Sequence, residues 1–190
     1  MDKLAVIAVS TREGRVGFPI AEWVVERAKL HGKFEPQLVD LREVNLPLFD
    51  ERHHPRLRKY EHAHTKAWSA IVDAADAFVF VTPEYNYTSP PSFVNAVDYL
   101  FYEWAYKACG FVSYGGPAGG ARAVQTERLQ IVSLKCVPLA ESVMIPFFMK
   151  ELENGRFKGG DAYEKAAETM FDELAKWTAA LKPLRRPVPA

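Results

Sequence analysis

The stretch that decides the fold reads LAVIAV at residues 4–9, followed by STREGRVG at residues 10–17. The apolar run is continuous rather than alternating, which is typical of a central parallel strand covered on both faces. A helical segment follows from about Gly17 to His31, with an apolar stripe and with Pro19 in its first turn. A buried strand, a polar turn and an amphipathic helix in this order predict the first unit of an α/β fold.

The rest of the chain repeats this alternation. Further strands are predicted at Phe34–Leu41, Ala77–Thr82, Cys109–Tyr114 and Glu141–Pro146. Further helices are predicted at Tyr60–Ala75, Pro91–Tyr102, Ala118–Ser133 and Asp161–Leu181. Pro36 lies within the second strand and favours an edge position, because proline cannot donate a ladder hydrogen bond. The alternation predicts a parallel sheet with right-handed crossovers.

Length and composition predict a single soluble domain. The chain has 190 residues, 48% of them hydrophobic and 25% charged, and its formal net charge is zero. This charge disfavours a nucleic-acid partner, and the apolar run at residues 3–9 is too short for a signal peptide core or a membrane span. Cys109 and Cys136 form no closely spaced motif, so they are predicted to be reduced, buried thiols of a cytoplasmic protein. The predicted domain covers residues 1–181, and residues 182–190 are expected to form a loose tail.

The loop after the first strand indicates a phosphate site. Parallel sheets bind ligands beyond the carboxyl ends of their strands, where this loop lies. Hydroxyls, guanidinium groups and a helix N-terminus favour a phosphate group. The candidate residues are Ser10, Thr11, Arg12, Arg15, Val16 and Gly17. Taken alone, a polar turn with exposed arginines explains the segment equally well, and the GxGxxG and GxxxxGK[ST] patterns are both absent.

The loop after the third strand is apolar and aromatic. Its candidate residues are Pro83, Glu84, Tyr85, Asn86 and Tyr87. The tyrosines are suited to flank a flat ring, and the amide groups are suited to hydrogen-bond its edge. For this loop alone, a proline-stiffened turn that covers the core is the slightly favoured alternative.

The loop after the fourth strand is rich in glycine. Its candidate residues are Ser113, Tyr114, Gly115 and Gly116. Glycines let the backbone approach a ligand closely, although they also suit a flexible turn. Together the three loops predict a site for a ligand that is flat at one end and phosphorylated at the other. FMN has that shape.

The same loops resemble a known family. Ser-Thr-Arg-x-x-Arg-x-Gly, Pro-Glu-Tyr-Asn-Tyr and Ser-Tyr-Gly-Gly follow in the order and spacing of the NAD(P)H-dependent FMN reductase family, over residues 3–145. Residues 94–99 resemble that family's Lys-Asn-Ala-x-Asp-Trp helix, with Val94 and Tyr99 in place of the lysine and tryptophan. The resemblance implies a flavodoxin-like three-layer sandwich whose five-stranded parallel sheet has the order 2-1-3-4-5.

The resemblance also implies a role for each loop. Around the phosphate it implies Ser10, Arg12, Arg15, Val16 and Gly17. Along the isoalloxazine it implies residues 83–86, acting mainly through backbone groups, and at the far side of the flavin it implies residues 113–116. No catalytic side chain is required, because the flavin carries the chemistry.

The implied activity is that of an FMN-dependent oxidoreductase. It takes hydride from NADPH or NADH and reduces a second acceptor, such as free flavin, a quinone or an azo compound, by a ping-pong mechanism. One alternative is a flavin-binding electron carrier or redox-sensing protein, which the neutral charge disfavours because carriers are usually acidic. Another is a domain that has lost its cofactor and serves only in interactions.

Histidines and aromatic residues outside the three loops allow two interpretations each. The histidines His53, His54, His62 and His64 lie in or beside the polar stretch 42–59, which is predicted to be a surface loop. Exposed histidines are favoured over a metal site, because no cysteine or paired acidic ligand accompanies them. The aromatic cluster comprises Tyr99, Phe101, Tyr102, Trp104 and Tyr106. It suits core packing and a subunit interface equally, and the resemblance favours a homodimer or homotetramer.

Overall fold

Five parallel strands form the centre of the computed structural model, which describes residues 1–185. The strands are β1 (Asp2–Ala8), β2 (Phe34–Asp40), β3 (Ala77–Pro83), β4 (Ala108–Tyr114) and β5 (Val137–Ile145). Their order is β2-β1-β3-β4-β5, and every neighbouring pair is parallel. This topology confirms the predicted flavodoxin-like sheet.

Helices cover both faces of the sheet. They are α1 (Phe18–His31), α2 (Leu41–Val44), α3 (Ala63–Ala74), α4 (Pro91–Asp98), α5 (Ala121–Val132) and α6 (Asp161–Leu181). On one face, α1 and α6 pack against alternate strand residues such as Leu4 and Val6. On the other face, α3, α4 and α5 pack against Ala5, Ile7 and their neighbours. The three layers follow from the alternation of side chains along each strand.

Burial explains which strands have continuous apolar sequences. Every residue of β3 and β4 is buried, because these strands lie inside the sheet with helices on both faces. β2 lies at an edge, as Pro36 predicts, and buries only part of its length. β5 forms the other edge, and its mixture of exposed and buried residues explains why only its second half was predicted from the sequence.

Three connections differ from the sequence prediction. The predicted loop at 42–59 contains most of α2 and a 3₁₀ turn at Pro55–Leu57. Helix α4 ends at Asp98 rather than at Tyr102. After β5 an unpredicted hairpin pairs Leu152–Glu153 with Arg156–Phe157. Each of these elements is short and depends on tertiary contacts rather than on a periodic apolar pattern.

The aromatic cluster after α4 divides between core and surface. Tyr99 and Trp104 are fully buried, and Phe101 is nearly so. Tyr102 is exposed, whereas Tyr106 is half-buried. Core packing therefore accounts for most of the cluster.

The segment that follows α6 contacts the residues just before β3 and β4, as far as Arg185. Residues Lys182–Leu184 form a 3₁₀ turn, and the Lys182 ammonium lies 3.4 Å from the Asp76 carboxylate. The Arg185 guanidinium donates to Asp76 Oδ1 at 2.8 Å and to the Tyr106 carbonyl at 3.1 Å. Residues 182–185 of the expected tail make these contacts, and residues 186–190 lie outside the described part of the chain.

Two further expectations bear on the class of protein. Cys109 and Cys136 are both buried and are not joined by a disulfide. Among the helices of residues 1–185, none is long and apolar enough to cross a membrane.

Candidate functional site

Three loops meet at the carboxyl edge of the sheet. They follow β1, β3 and β4, which are adjacent in the sheet order. The backbone amide of Val9 donates to the Val81 carbonyl at 3.0 Å and extends the pairing of β1 with β3 into this edge. The topology therefore brings the three sequence-predicted segments to one place, as expected for a parallel sheet.

The loop at residues 10–17 leaves cationic and backbone donors free. No hydrogen bond or ion pair involves the Arg12 side chain within residues 1–185, and its guanidinium lies 5.9 Å from the centre of the Tyr85 ring. Helix α1 begins at Phe18, and no side chain of the described residues caps it. Its first amides are thus unsatisfied by side chains, and the helix dipole favours an anion there.

Arg15 differs from Arg12 because it is already paired. Its guanidinium donates to Asp40 Oδ1 at 2.6 Å and to the Ser10 carbonyl at 2.9 Å, and it also contacts the second Asp40 oxygen. Both side chains of this ion pair are largely buried. Arg15 therefore fixes the loop against the end of β2, whereas its predicted contact with phosphate stays a prediction.

A group of hydroxyls lies beneath the same loop. The Ser10 hydroxyl and the Tyr85 hydroxyl share a hydrogen bond of 2.8 Å. Tyr114 is buried against Gly17, where a Cβ atom would overlap its phenol ring. Burial, reinforced by neighbouring Tyr85, raises the pKa of Tyr114. The side chains of Tyr85 and Tyr114 are thus directed to the predicted phosphate end, where only residues 10–17 were expected.

The other members of the first loop are more open. Thr11 is exposed, Val16 is half-buried, and Gly14 takes a positive φ of 66° that favours glycine. The Thr11 hydroxyl is therefore accessible from solvent.

The loop after β3 closes as a tight turn. The amide of Tyr85 donates to the Thr88 carbonyl and the amide of Thr88 donates to the Tyr85 carbonyl, each at 3.1 Å. Asn86 and Tyr87 form the tip, with positive φ values of 49° and 70°. The Tyr87 side chain is 72% exposed, so the tip projects from the sheet edge into solvent.

An ion pair ties this loop to helix α5. The Arg122 guanidinium donates to Glu84 Oε1 at 2.6 Å, and the Arg122 backbone amide donates to Glu84 Oε2 at 3.1 Å. The same guanidinium lies 3.8 Å from the centre of the Tyr87 ring. Arg122 was not predicted from the sequence, although its position directly after the glycine-rich loop is a usable signal.

The loop after β4 offers open backbone at its tip. Ser113 is buried, and a Cβ atom on Gly120 would lie 2.8 Å from the Ser113 Cβ, so the loop folds back tightly on its strand. Gly115 is half-buried, whereas Gly116 is exposed and a Cβ there would meet no atom within 4 Å. Gly116 therefore leaves room for a ligand to approach the backbone.

Glu127 is a second functional candidate that sequence reasoning missed. It lies on α5 and is fully buried behind the loop after β3. Its Oε1 atom accepts hydrogen bonds from Thr82 Oγ1 at 2.6 Å and from Ser89 Oγ at 3.0 Å. The sequence feature that could have revealed Glu127 is an acidic residue on the apolar stripe of α5, which Val124 and Ile131 define.

The histidines of the polar stretch form a surface cluster. The rings of His62 and His64 stack with centres 5.1 Å apart, and His64 Nε2 lies 3.0 Å from Asp50 Oδ1. The side chains of His53 and His62 are both well exposed. In the part of the chain that the structure describes, no group of three His, Cys, Asp or Glu residues is arranged to hold a metal ion.

The donor set fits FMN at its two ends. Arg12 and the uncapped start of α1 supply what a phosphate dianion needs. The turn at residues 84–88 and the open backbone at Gly116 lie on loops that follow neighbouring strands, at the same edge of the sheet as the phosphate donors.

Comparison with known proteins agrees with this geometry. The sequence profile of the family described as NADPH-dependent FMN reductase matches residues 3–150. The chain belongs to that family. Its membership confirms the prediction of an FMN-dependent oxidoreductase that uses NAD(P)H.

Two yeast relatives illustrate the similarity. An NAD(P)H-dependent FMN reductase of Schizosaccharomyces pombe is 37% identical over 147 residues, which cover 76% of this chain and 74% of the relative. One of Saccharomyces cerevisiae is 37% identical over 128 residues, which cover 62% of this chain and 67% of the relative.

Solved structures of lower identity share the fold. The flavoenzyme NAD(P)H:(acceptor) oxidoreductase FerB of Paracoccus denitrificans has a TM-score of 0.75 at 19% identity, with 95% of this chain and 98% of FerB covered. RosB, solved with a riboflavin-5'-phosphate derivative, has a TM-score of 0.74 at 10% identity, with 98% of this chain and 82% of RosB covered. These likenesses support the flavodoxin-like fold.

Proposed function

We propose that this FMN reductase family member binds FMN across the three loops and reduces a small acceptor with electrons from NADPH or NADH by a ping-pong mechanism. The observation that carries this proposal is the convergence of free phosphate donors and an exposed aromatic turn at one edge of the sheet. The acceptor class is a flat electrophile such as free flavin, a quinone or an azo compound.

The phosphate is held at the first loop. Arg12 provides a charge-assisted contact, and the hydroxyls of Ser10 and Thr11 and the first amides of α1 provide further donors. Arg15 shapes the loop through its pairing with Asp40. Val16 and Gly17 bring the backbone close, which requires that residue 17 carry no side chain next to Tyr114.

The isoalloxazine lies along residues 83–86 and is contacted mainly by backbone groups. Support comes from the turn closed by two backbone hydrogen bonds between Tyr85 and Thr88 and from the ion pair of Glu84 with Arg122. The third loop, at residues 113–116, closes the far side of the ring. Tyr87 stands at the rim, where its exposed ring is available to a substrate.

When bound, FMN supplies the hydride chemistry, so no protein nucleophile or acid–base pair is needed. The residues of this chain bind the phosphate, orient the ring and leave one side open to solvent. A single open side accommodates NAD(P)H and then the acceptor in turn. This alternation is the physical basis of the proposed ping-pong kinetics.

Steady-state kinetics test this proposal. Initial rates of NADPH and NADH oxidation are measured at several fixed concentrations of a quinone, an azo dye or free FMN. Parallel lines in double-reciprocal plots are the expected result. Intersecting lines contradict the ping-pong mechanism, and absence of turnover with every acceptor contradicts the enzyme assignment.

We also propose that the protein forms a homodimer or homotetramer and is located in the cytoplasm. Phe147 and Met149 are exposed beside the third loop, and the Phe147 amide donates to the Gly116 carbonyl at 3.0 Å. Apolar side chains at such a position suit the core of an interface between copies. The two buried thiols without a disulfide suit a reducing compartment.

A further inference from the structure

A buried carboxyl group lies directly behind the predicted flavin loop. Glu127 on α5 is fully buried, and its Oε1 atom accepts the hydrogen bonds from Thr82 and Ser89. Its Oε2 atom is also buried and has no hydrogen-bond partner among the described residues. A carboxyl with one satisfied and one unsatisfied oxygen is costly, so its position calls for a function.

The two hydroxyl partners of Glu127 bracket the loop. Thr82 immediately precedes Pro83, where the loop leaves β3. Ser89 immediately precedes Pro90, which caps α4. One carboxyl oxygen therefore links the start and the end of residues 83–88, and it fixes the separation of the two ends of the turn.

The surroundings of Glu127 favour its neutral form. Burial raises the pKa of Glu127 to about 8, and the hydrogen bonds from Thr82 and Ser89 offset this only partly. The side chain therefore carries a proton at neutral pH.

No cation compensates a charge at this position within the described residues. Elements β3, β4, β5 and α4 pack against α5. Their titratable groups are Asp98 on α4, Cys109 and Tyr114 on β4, and Glu141 on β5, and none of these hydrogen-bonds to Glu127. Burial raises the pKa of the Cys109 thiol as well. The two cations of α5 itself have other partners, since Arg122 donates to Glu84 and Arg128 donates to the Ala140 carbonyl.

We propose that Glu127 is a positioning residue for FMN: its neutral carboxyl holds both ends of the loop at 83–88, and loss of its proton weakens FMN binding. The proposal rests on the proposed FMN site in this loop. Ionisation would leave a buried charge with one oxygen lacking any donor. Relief of that cost requires water at Oε2, and admitting water requires a change in the packing around Glu127, whose two hydroxyl partners stand at the two ends of the loop.

The direction of the pH effect follows from linkage. If FMN holds the loop closed, the pKa of Glu127 is higher in the complex than in the free protein. FMN affinity then falls as the pH rises through about 8. Each pKa unit between the two states corresponds to about a tenfold loss of affinity.

Titration of FMN binding to the wild-type protein and to Glu127→Gln tests the proposal. Glutamine retains the carbonyl acceptor for Thr82 and Ser89 and has no proton to lose. The dissociation constant of FMN is measured by flavin fluorescence from about pH 6 to about pH 9.5, which spans the titration of the carboxyl. Ionisation of FMN itself affects both proteins equally, so it cancels in the ratio of their dissociation constants.

The expected result is equal affinity at neutral pH and divergence above it. At the alkaline end of the range, the dissociation constant of FMN is about tenfold or more higher for the wild-type protein than for Glu127→Gln. The matched control is Glu168→Gln, which removes an exposed carboxylate from α6 and should keep the wild-type pH dependence. A wild-type pH dependence that persists in Glu127→Gln overturns the proposal.

Infrared spectroscopy of the FMN-free protein provides an independent readout. A protonated carboxyl band that is present at neutral pH, is lost at alkaline pH and is missing from Glu127→Gln supports the proposal, and its absence from the wild type overturns it. If neither protein binds FMN at any pH while the infrared band is present, the proposed function has failed, and this inference fails with it.

Discussion

Arg12 and Arg15 are three residues apart in one loop, but they have different partners. Arg15 is held by Asp40 and the Ser10 carbonyl, whereas Arg12 has no polar partner among the described residues. A paired arginine stabilises the loop, and a free one is available to an anion. Replacement of Arg12 is therefore expected to affect mainly ligand binding, and replacement of Arg15 mainly the stability of the fold.

Replacement of Arg12 by alanine should weaken FMN binding with little effect on the fold. The loss of one charge-assisted contact corresponds to about 1.5–3 kcal/mol of binding free energy. Fluorescence titration with FMN measures the change, and Arg156→Ala, in the exposed part of the hairpin after β5, is the matched control. Unchanged FMN affinity in Arg12→Ala would show that the phosphate binds elsewhere.

Replacement of Arg15 by alanine should chiefly lower stability. Asp40 would keep a largely buried charge without its partner, at a cost of about 1–3 kcal/mol of unfolding free energy. Denaturation of the FMN-free protein by urea measures this cost, with Arg12→Ala as the comparison. Equal stability of the two variants would contradict the different roles assigned to them.

At the scale of elements, strand and helix positions were predicted well where burial is periodic or continuous. From Leu4 onward in β1, and along β3 and β4, nearly every residue is apolar because both faces of these strands are covered. The first half of β5 and the hairpin after it were missed, because their residues are partly exposed and their pairing depends on distant segments.

The candidate site was predictable as a set of loops but not as a set of contacts. The residue types of the three loops indicated phosphate and ring binding. The pairing of Arg15 with Asp40, 25 residues away, and the packing of Tyr114 on Gly17 depend on how strands lie side by side. Such long-range neighbours cannot be inferred from local pattern alone.

The buried side chain of Glu127, through which α5 contacts Thr82 of β3, leads to a prediction about stability. The pKa of Glu127 is raised in the folded state to about 8 from an ordinary value of 4.5, so the folded protein retains a proton that the unfolded chain releases. Stability due to this group is complete below about pH 4.5 and is lost as the pH rises towards about 8. Each pKa unit corresponds to about 1.4 kcal/mol, so the whole loss is about 5 kcal/mol.

Urea denaturation of the wild-type protein and Glu127→Gln at acid, neutral and alkaline pH measures this loss. The difference in unfolding free energy between the two proteins should shift in favour of Glu127→Gln as the pH rises through this window. A difference that does not depend on pH would mean that Glu127 is ionised in the folded protein.

For the whole molecule, the exposed apolar residues near the third loop lead to a prediction about oligomeric state. Phe147 and Met149 are large, apolar and exposed there. Light scattering of the purified protein should give the mass of a dimer or a tetramer of the 21.5 kDa chain. Replacement of Phe147 by serine should shift that mass towards the monomer, with Leu30→Ser at an exposed position of α1 as the control. A monomeric wild-type mass would rule out the oligomer.

FMN-dependent oxidation of NAD(P)H is tested most directly by one absorbance measurement. The purified protein is loaded with FMN, freed of excess flavin and kept without oxygen, and its spectrum is recorded before and after addition of NADPH or NADH. We predict the spectrum of an oxidised flavin that bleaches when the nicotinamide coenzyme is added. A protein that retains no FMN, or a bound flavin that neither coenzyme bleaches, would contradict the proposed function.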